Sequence, residues 1–251
     1  MNLNYQDRCP DFNYKGYTVT NEDTAWFSKA LNEANIPTKR ALAICSGGEV
    51  PLTVLLPRCE EVIAVDYSIP ALVAAMSKAL LIADSNGLVP SRVLPRDFKD
   101  RLPKLLRSLK ESSDPYADQG RRPYNHAQIY WPHMIKEDFE VVKQKLSEGR
   151  ISFIHGDIAR DTTDLGRFDL VYLSNALEYN CRDNKRLKVE DILDRLSPGG
   201  LLITTENGFL LKSPPLLLKS PPLGGQFFTQ IVSSKISKGW KHCIWQLTVD
   251  A

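Results

Sequence analysis

Five short apolar runs punctuate the chain. They are Arg40–Cys45, Glu61–Asp66, Ile151–His155, Phe168–Leu173 and Gly200–Thr205. Each is four to six residues long and nearly continuous in apolar character, the pattern of strands buried on both faces of a parallel sheet. Helical periods fall between them. Ile69, Leu72, Val73, Met76, Leu80 and Ala83 recur at three- and four-residue spacings, as do Val189, Ile192, Leu193 and Leu196 before Pro198-Gly199-Gly200. Nearer the N-terminus, Asn21 is placed to cap a helix carrying Trp26, Phe27, Ala30 and Leu31, with Glu22 and Asp23 in its first turn. Strand and helix in alternation predict βαβ units in an α/β fold, a doubly wound, Rossmann-like and mostly parallel sheet.

Two stretches break the alternation. Residues from about 86 to 149 are too many for one crossover and read as an inserted helical cap. A tandem duplication, Leu210–Leu216 repeated as Leu217–Leu223, carries paired prolines that exclude helix and central strand, so an extended loop is expected. Beyond it, Phe227–Ile236 and His242–Val249 predict a C-terminal antiparallel hairpin through Lys238-Gly239. The expected organisation is an N-terminal arm and helix over 1–38, then a ligand-binding domain over 39–251 interrupted by the insertion.

Composition narrows the function. The chain has 251 residues with 32 Lys plus Arg against 30 Asp plus Glu, a formal charge of +2. A protein living on nucleic acid through a basic surface would stand further from neutrality, so no nucleic-acid partner is expected. The basic segment Arg92–Lys110 alternates with Leu102, Leu105, Leu106 and Leu109 and reads as an amphipathic helix with a solvated face. No run approaches the roughly 20 apolar residues of a membrane span. The N-terminus lacks a secretion-signal pattern, and five dispersed cysteines with no CxxC argue against disulfides and against a metal site. The expected setting is the reducing cytoplasm.

Candidate chemistry gathers at strand ends. Cys45-Ser46-Gly47-Gly48 follows the first run, a turn that lets a ligand approach the backbone and presents helix N-terminal amides. Asp66, with Tyr67 after it, ends the second run, where doubly wound folds place the acid that takes ribose hydroxyls. A helix N-cap is the competing role for Asp66. Gly-x-Gly-x-x-Gly is absent, which weakens an NAD-dependent oxidoreductase, and a P-loop is excluded for want of Gly-Lys-Ser/Thr. Ser174, Asn175, Glu178 and Tyr179 follow the fourth run, on the edge where such sheets bind ligands. There Glu178 could orient an amine or act as base and Tyr179 could line the acceptor pocket, or both could merely start a helix. The insertion supplies Arg121, Arg122, Tyr124 and Tyr130 as acceptor-binding candidates and His126 as a general base, against the plainer reading of a solvated loop. Cys45 reads as a small buried residue in preference to a nucleophile.

These features together resemble the class I S-adenosylmethionine-dependent methyltransferase fold: the loop after strand one, Asp66, Gly156-Asp157-Ile158 after strand three, and Leu196–Gly200 before strand five. The resemblance implies S-adenosylmethionine as cofactor, with Asp157 facing the adenine amino group and Ile158 packing on the ring. The usual Asp-x-Gly-x-Gly-x-Gly loop is altered, since Ala43 replaces the acid and Cys45 and Glu49 replace two glycines. In that altered form Leu42–Gly48, with Ala64-Val65-Asp66 leading to Pro70 and Leu173–Tyr179, is similar to the betaine-lipid family. Those enzymes transfer the 3-amino-3-carboxypropyl group of the cofactor. The expectation is a transferase displacing one sulfonium carbon onto a small molecule or lipid headgroup, with aminocarboxypropyl transfer narrowly ahead of methyl transfer. A non-catalytic scaffold or sensor of the same fold is the alternative from another class.

Overall fold

The computed structural model describes residues 3–9, 23–84, 136–174, 176–178, 187–207, 226–233 and 240–249. The strands are β1 (Asn4–Asp7), β2 (Arg40–Ile44), β3 (Glu61–Asp66), β4 (Ile151–His155), β5 (Phe168–Ser174), β6 (Leu196–Asn207), β7 (Gln226–Ser233) and β8 (Trp240–Val249). They form one eight-stranded sheet in the order β1-β4-β3-β2-β5-β6-β8-β7. The first six run parallel, and β8 pairs antiparallel with both β6 and β7. This is the doubly wound, Rossmann-like sheet with a C-terminal antiparallel hairpin that the sequence predicts. The helices are α1 (Thr24–Ala34), α2 (Ile69–Asp84), α3 (Lys136–Ser147) and the short α4 (Glu190–Leu193).

The apolar runs are continuous because both faces of the sheet are covered. Ala41, Ala43, Val62, Ala64, Leu170 and Tyr172 join Phe27 of α1, Leu72 and Met76 of α2 and Phe139 of α3 in one cluster. Their strand neighbours Leu42, Ile63, Val65, Val171 and Leu173 join Leu187, Val189, Ile192 and Trp245 in a second cluster. Side chains of period two thus serve two cores.

Some boundaries differ from expectation. The cap of α1 is Asp23, whose carboxylate accepts the Trp26 amide at 2.9 Å; Asn21 and Glu22 lie outside the described residues. The helix expected through Leu196 stops at Leu193, and Leu196 instead opens β6 opposite Phe168. A strand residue there follows from the pairing: Phe168 donates its amide to the Arg195 carbonyl at 2.7 Å, so ladder bonding begins before Pro198. The N-terminal stretch adds an edge strand, since Asn4–Asp7 lies parallel beside β4. From the insertion, α3 packs Phe139, Val142 and Leu146 into the first cluster. The rest of it, over 85–135, and the proline-containing repeat lie outside the described residues.

Candidate functional site

The strand order reverses between β3 and β5, on either side of β2, so the carboxyl ends of β2, β3 and β5 surround the crevice where open α/β sheets bind ligands. The ladder extends past the strand ends here. Cys45 donates to the Val65 carbonyl at 2.9 Å and Gly156 to the Asp66 carbonyl at 3.0 Å, which sets the three loops side by side.

The loop after β2 is wound left-handed. Ser46, Gly47 and Gly48 have φ of 43°, 84° and 94°. Ser174, at the end of neighbouring β5, has φ 54°. The third such non-glycine residue among those described, Asn35, is the ordinary left-handed cap of α1. Strain in two serines at adjacent strand ends has no such local cause, and strain of this kind collects at ligand sites. Gly48 is required by packing as well: a Cβ there would lie 2.5 Å from the Ala75 Cβ and 2.7 Å from its Cα.

Behind this loop sits a buried ion pair that the sequence reading missed. Lys78 of α2 and Glu49 are in contact, each side chain 3% exposed. The Lys78 ammonium also donates to the Gly47 carbonyl at 2.8 Å. That carbonyl would otherwise receive the amide four residues on, and that residue is Pro51, which has none. The chain is helical from Glu49 and winds as a π-helix over Pro51–Leu55, closed by Leu56 donating to the Pro51 carbonyl at 2.9 Å. A lysine in the otherwise apolar α2 was the available signal, because a charge at such a position requires a buried partner.

Asp66 bridges two loops. Its carboxylate accepts the Ser46 amide and the Ser68 amide, both at 2.9 Å. The cap of α2 is Ser68, whose hydroxyl accepts the Ala71 amide at 3.2 Å. Asp66 therefore braces the site in an Asx turn, and with the Tyr67 amide also bonded to it the carboxylate keeps capacity for one further donor in the crevice. Burial pushes its carboxyl up to about 6, against the pull of the Ser68 and Ser46 amides and of nearby His155. Burial, with Asp66 beside it, also raises the Cys45 thiol well above its ordinary range, which makes it inert as a nucleophile.

Asp157 is buried at 2% exposure and its carboxylate accepts the Ala159 amide at 2.8 Å, while its own amide donates to Asp161 at 2.7 Å. Gly156 leaves room for this turn, since a Cβ there would meet the Asp161 carboxylate at 2.9 Å. Ile158 joins the second core cluster at 5% exposure. His242 of β8 packs on Phe27 with ring centroids 4.7 Å apart. It accepts the Asp23 amide through Nε2 at 3.4 Å and donates from Nδ1 to the Thr205 hydroxyl at 3.0 Å. Burial lowers it to about 4, against the raising effect of Asp23.

The structure thus brings Cys45, Ser46, Gly47, Gly48, Asp66, Tyr67, Asp157, Ile158 and Ser174 to one sheet edge. Glu178 ends a short 3₁₀ turn, Ala176–Glu178, on the same edge. Asn175, Tyr179, His126, Arg121, Arg122, Tyr124 and Tyr130 lie outside the described residues. Among the described residues no cluster of His, Cys, Asp or Glu could hold a metal ion, and no helix is long and apolar enough to cross a membrane.

No family model and no curated protein matches this chain. Solved structures do resemble it. The N-methyltransferase NodS from Bradyrhizobium japonicum WM9 is 12% identical with TM-score 0.46, over 89% of this chain and 94% of NodS. The ribosomal protein L11 methylase from Lactobacillus delbrueckii subsp. bulgaricus is 13% identical with TM-score 0.44, over 90% of this chain and 79% of its own. Trm1 from Pyrococcus horikoshii, solved with S-adenosyl-L-methionine, is 13% identical with TM-score 0.48, over 93% of this chain and 57% of its own. At these identities the likeness is one of fold. The class the chain itself defines is a Rossmann-like α/β protein with its crevice at the reversal of strand order.

Proposed function

We propose that the protein is an S-adenosylmethionine-dependent transferase acting on a small molecule or lipid headgroup, with methyl transfer the favoured reaction. The observation that carries this is the left-handed Ser46-Gly47-Gly48 loop bonded to the Asp66 carboxylate at the reversal of strand order. The fit to the cofactor is chemical. Gly47 and Gly48 let the methionine part approach the backbone, Asp66 has capacity left for a ribose hydroxyl, and Asp157 with Ile158 borders the adenine end. When bound, the cofactor supplies a sulfonium whose attached carbons are electrophilic. The protein's part is to hold an acceptor in line with one of those bonds and to exclude water. Ser174, with Glu178 and Tyr179 after it, would face that acceptor, and the arginines and aromatic residues of the insertion would complete its pocket.

The choice between the two transfers turns on the altered loop. The expectation of aminocarboxypropyl transfer supposed that Cys45 and Glu49, in place of glycines, remodel the pocket. Both side chains are instead buried beneath the loop, at 0% and 3% exposure, with Glu49 paired to Lys78. Neither side chain enters the ligand side of the loop, which favours methyl transfer. Aminocarboxypropyl transfer remains the second reading on the likeness of Leu42–Gly48 and Leu173–Tyr179 to the betaine-lipid family.

The test is incubation of the protein with S-adenosylmethionine and a small-molecule and lipid extract, followed by mass spectrometry. S-adenosylhomocysteine is expected. Methylthioadenosine in its place would establish the second reading. Absence of both products and of cofactor binding by calorimetry would sink the enzyme in favour of the scaffold.

A further inference from the structure

His155, the last residue of β4, is fully buried. Its Nδ1 lies 2.9 Å from an Asp7 carboxylate oxygen and its Nε2 lies 3.1 Å from the Tyr67 carbonyl oxygen. A carboxylate and a carbonyl are both acceptors, so the two bonds form together only when both ring nitrogens donate. The strand register explains the arrangement. His155 is paired with Asp7 on one side and with Asp66 on the other, so three strands end in a row at the ribose corner.

We propose that His155 is a positioning residue of the cofactor site: anchored by Asp7 of the edge strand, it fixes the Tyr67 peptide and, as a cation beside Asp66, keeps that carboxylate ready to accept a ribose hydroxyl. The inference rests on the S-adenosylmethionine reading above. The charged groups around the ring come from each neighbouring element. Asp7 belongs to β1, Asp66 to β3, and Asp157 and Asp161 to the turn after β4; the first turn of α2 contributes no acidic side chain. Arg8 is adjacent but is engaged by the Asp161 carbonyl and by Asp164. His155 is also among the groups that draw Asp66 toward its ionised form.

The test uses Asp7→Asn and His155→Gln in the full chain, with binding of S-adenosylmethionine followed by calorimetry from about pH 5 to pH 8, the range in which His and a raised Asp titrate. In the wild type, affinity declines as pH falls through about 6 and Asp66 takes a proton. Losing the cation moves that decline up by about one pH unit, the size of a near-contact charge effect, so binding weakens about twofold at about pH 7 and close to tenfold near pH 5. An equal loss at every pH, with the decline unmoved, would reduce His155 to a packing role and overturn the proposal. Asp7 is 20% exposed, so Asp7→Asn keeps the test open where His155→Gln does not fold.

A second measurement needs no cofactor. The chain has 4 histidines, so ring nitrogen-15 shifts can be assigned by substitution. Because both ring nitrogens face acceptors, the His155 signal of the folded chain is expected to show a hydrogen on each, and a neutral tautomer would overturn the proposal by itself. A wild type that binds no S-adenosylmethionine would instead remove the transferase reading, and this inference with it, before any variant is compared.

Discussion

Lys78 closes the structure of the Gly47 turn by donating to the Gly47 carbonyl and to the Glu49 carboxylate from inside the first core. The arrangement answers two local deficits, the amide missing at Pro51 and the buried charge of Glu49. Removing one member strands the other. Lys78→Met is expected to cost about 3–5 kcal/mol of stability, the usual result of leaving half of a buried pair. Lys78→Met combined with Glu49→Leu should regain most of that loss, because a well-packed apolar pair often matches a buried ionic one. The double variant still leaves the Gly47 carbonyl without its donor, so cofactor affinity should stay reduced. Urea unfolding and calorimetry on the three proteins check both halves; a double variant with full affinity would show that the pair does not shape the loop.

Gly48→Ala should be among the most damaging single-methyl additions. The new Cβ would stand 2.5 Å from the Ala75 Cβ on a backbone with φ +94°. A combined loss of about 2–4 kcal/mol is expected from strain and overpacking. Adding Ala75→Gly should recover only part of it, because the Ala75 Cα lies 2.7 Å from the same point and the backbone angle is unchanged. Complete recovery in thermal unfolding would place the whole cost in side-chain crowding.

Much of this architecture was legible because burial on two faces writes itself into short continuous apolar runs. Ile151–His155 and Glu61–Asp66 match the observed strands residue for residue. The hairpin was legible from β-rich segments around Lys238-Gly239. β1 was not, because four residues of mixed polarity at a sheet edge, Asn4–Asp7, carry no periodic signal. The ends of β6 and α4 were misjudged where ladder pairing with β5 outweighed helical spacing. At the site, Asp66 and the glycine turn were legible from position alone. The Glu49–Lys78 pair and the Asp7–His155 contact were not, since their members stand 29 and 148 positions apart and only the fold joins them.

Two buried groups give stability an opposed pH response. Burial holds His242 at about 4, so the folded state resists protonating it. Its stabilisation is complete above the unfolded value near 6.5 and is lost as pH falls toward 4. Asp66 is raised to about 6, so ionising it costs the folded state above that pH, and the cost is relieved as pH falls from about 6 toward 4. Between pH 6.5 and 4 the wild type should lose roughly 3 kcal/mol through His242, partly offset by Asp66. His242→Phe, which keeps a ring on Phe27, should be less stable at pH 8 through loss of the Thr205 and Asp23 bonds, yet should gain slightly in stability as pH falls from about 6 to 5, because the Asp66 response is then unopposed. Denaturant midpoints across pH test this, and a variant as acid-sensitive as the wild type would move the effect to other groups.

The left-handed serines should separate stability from activity. Ser46 at φ 43° and Ser174 at φ 54° are held in a conformation that glycine adopts without strain. Ser46→Gly should raise stability by about 0.5–1 kcal/mol once the greater freedom of the unfolded glycine is counted. Ser46→Ala keeps the strain and removes only the hydroxyl. If the loop is a ligand cradle, the strain is maintained for binding, so Ser46→Gly should weaken cofactor affinity while melting higher, and Ser46→Ala should do less of both. At Ser174, proposed above to face the acceptor, the glycine variant should lower turnover while leaving cofactor affinity near that of the wild type. Thermal melts paired with calorimetry and product formation distinguish these outcomes. A Ser46→Gly protein that melts higher and binds the cofactor as before would mean that the strain serves the fold alone.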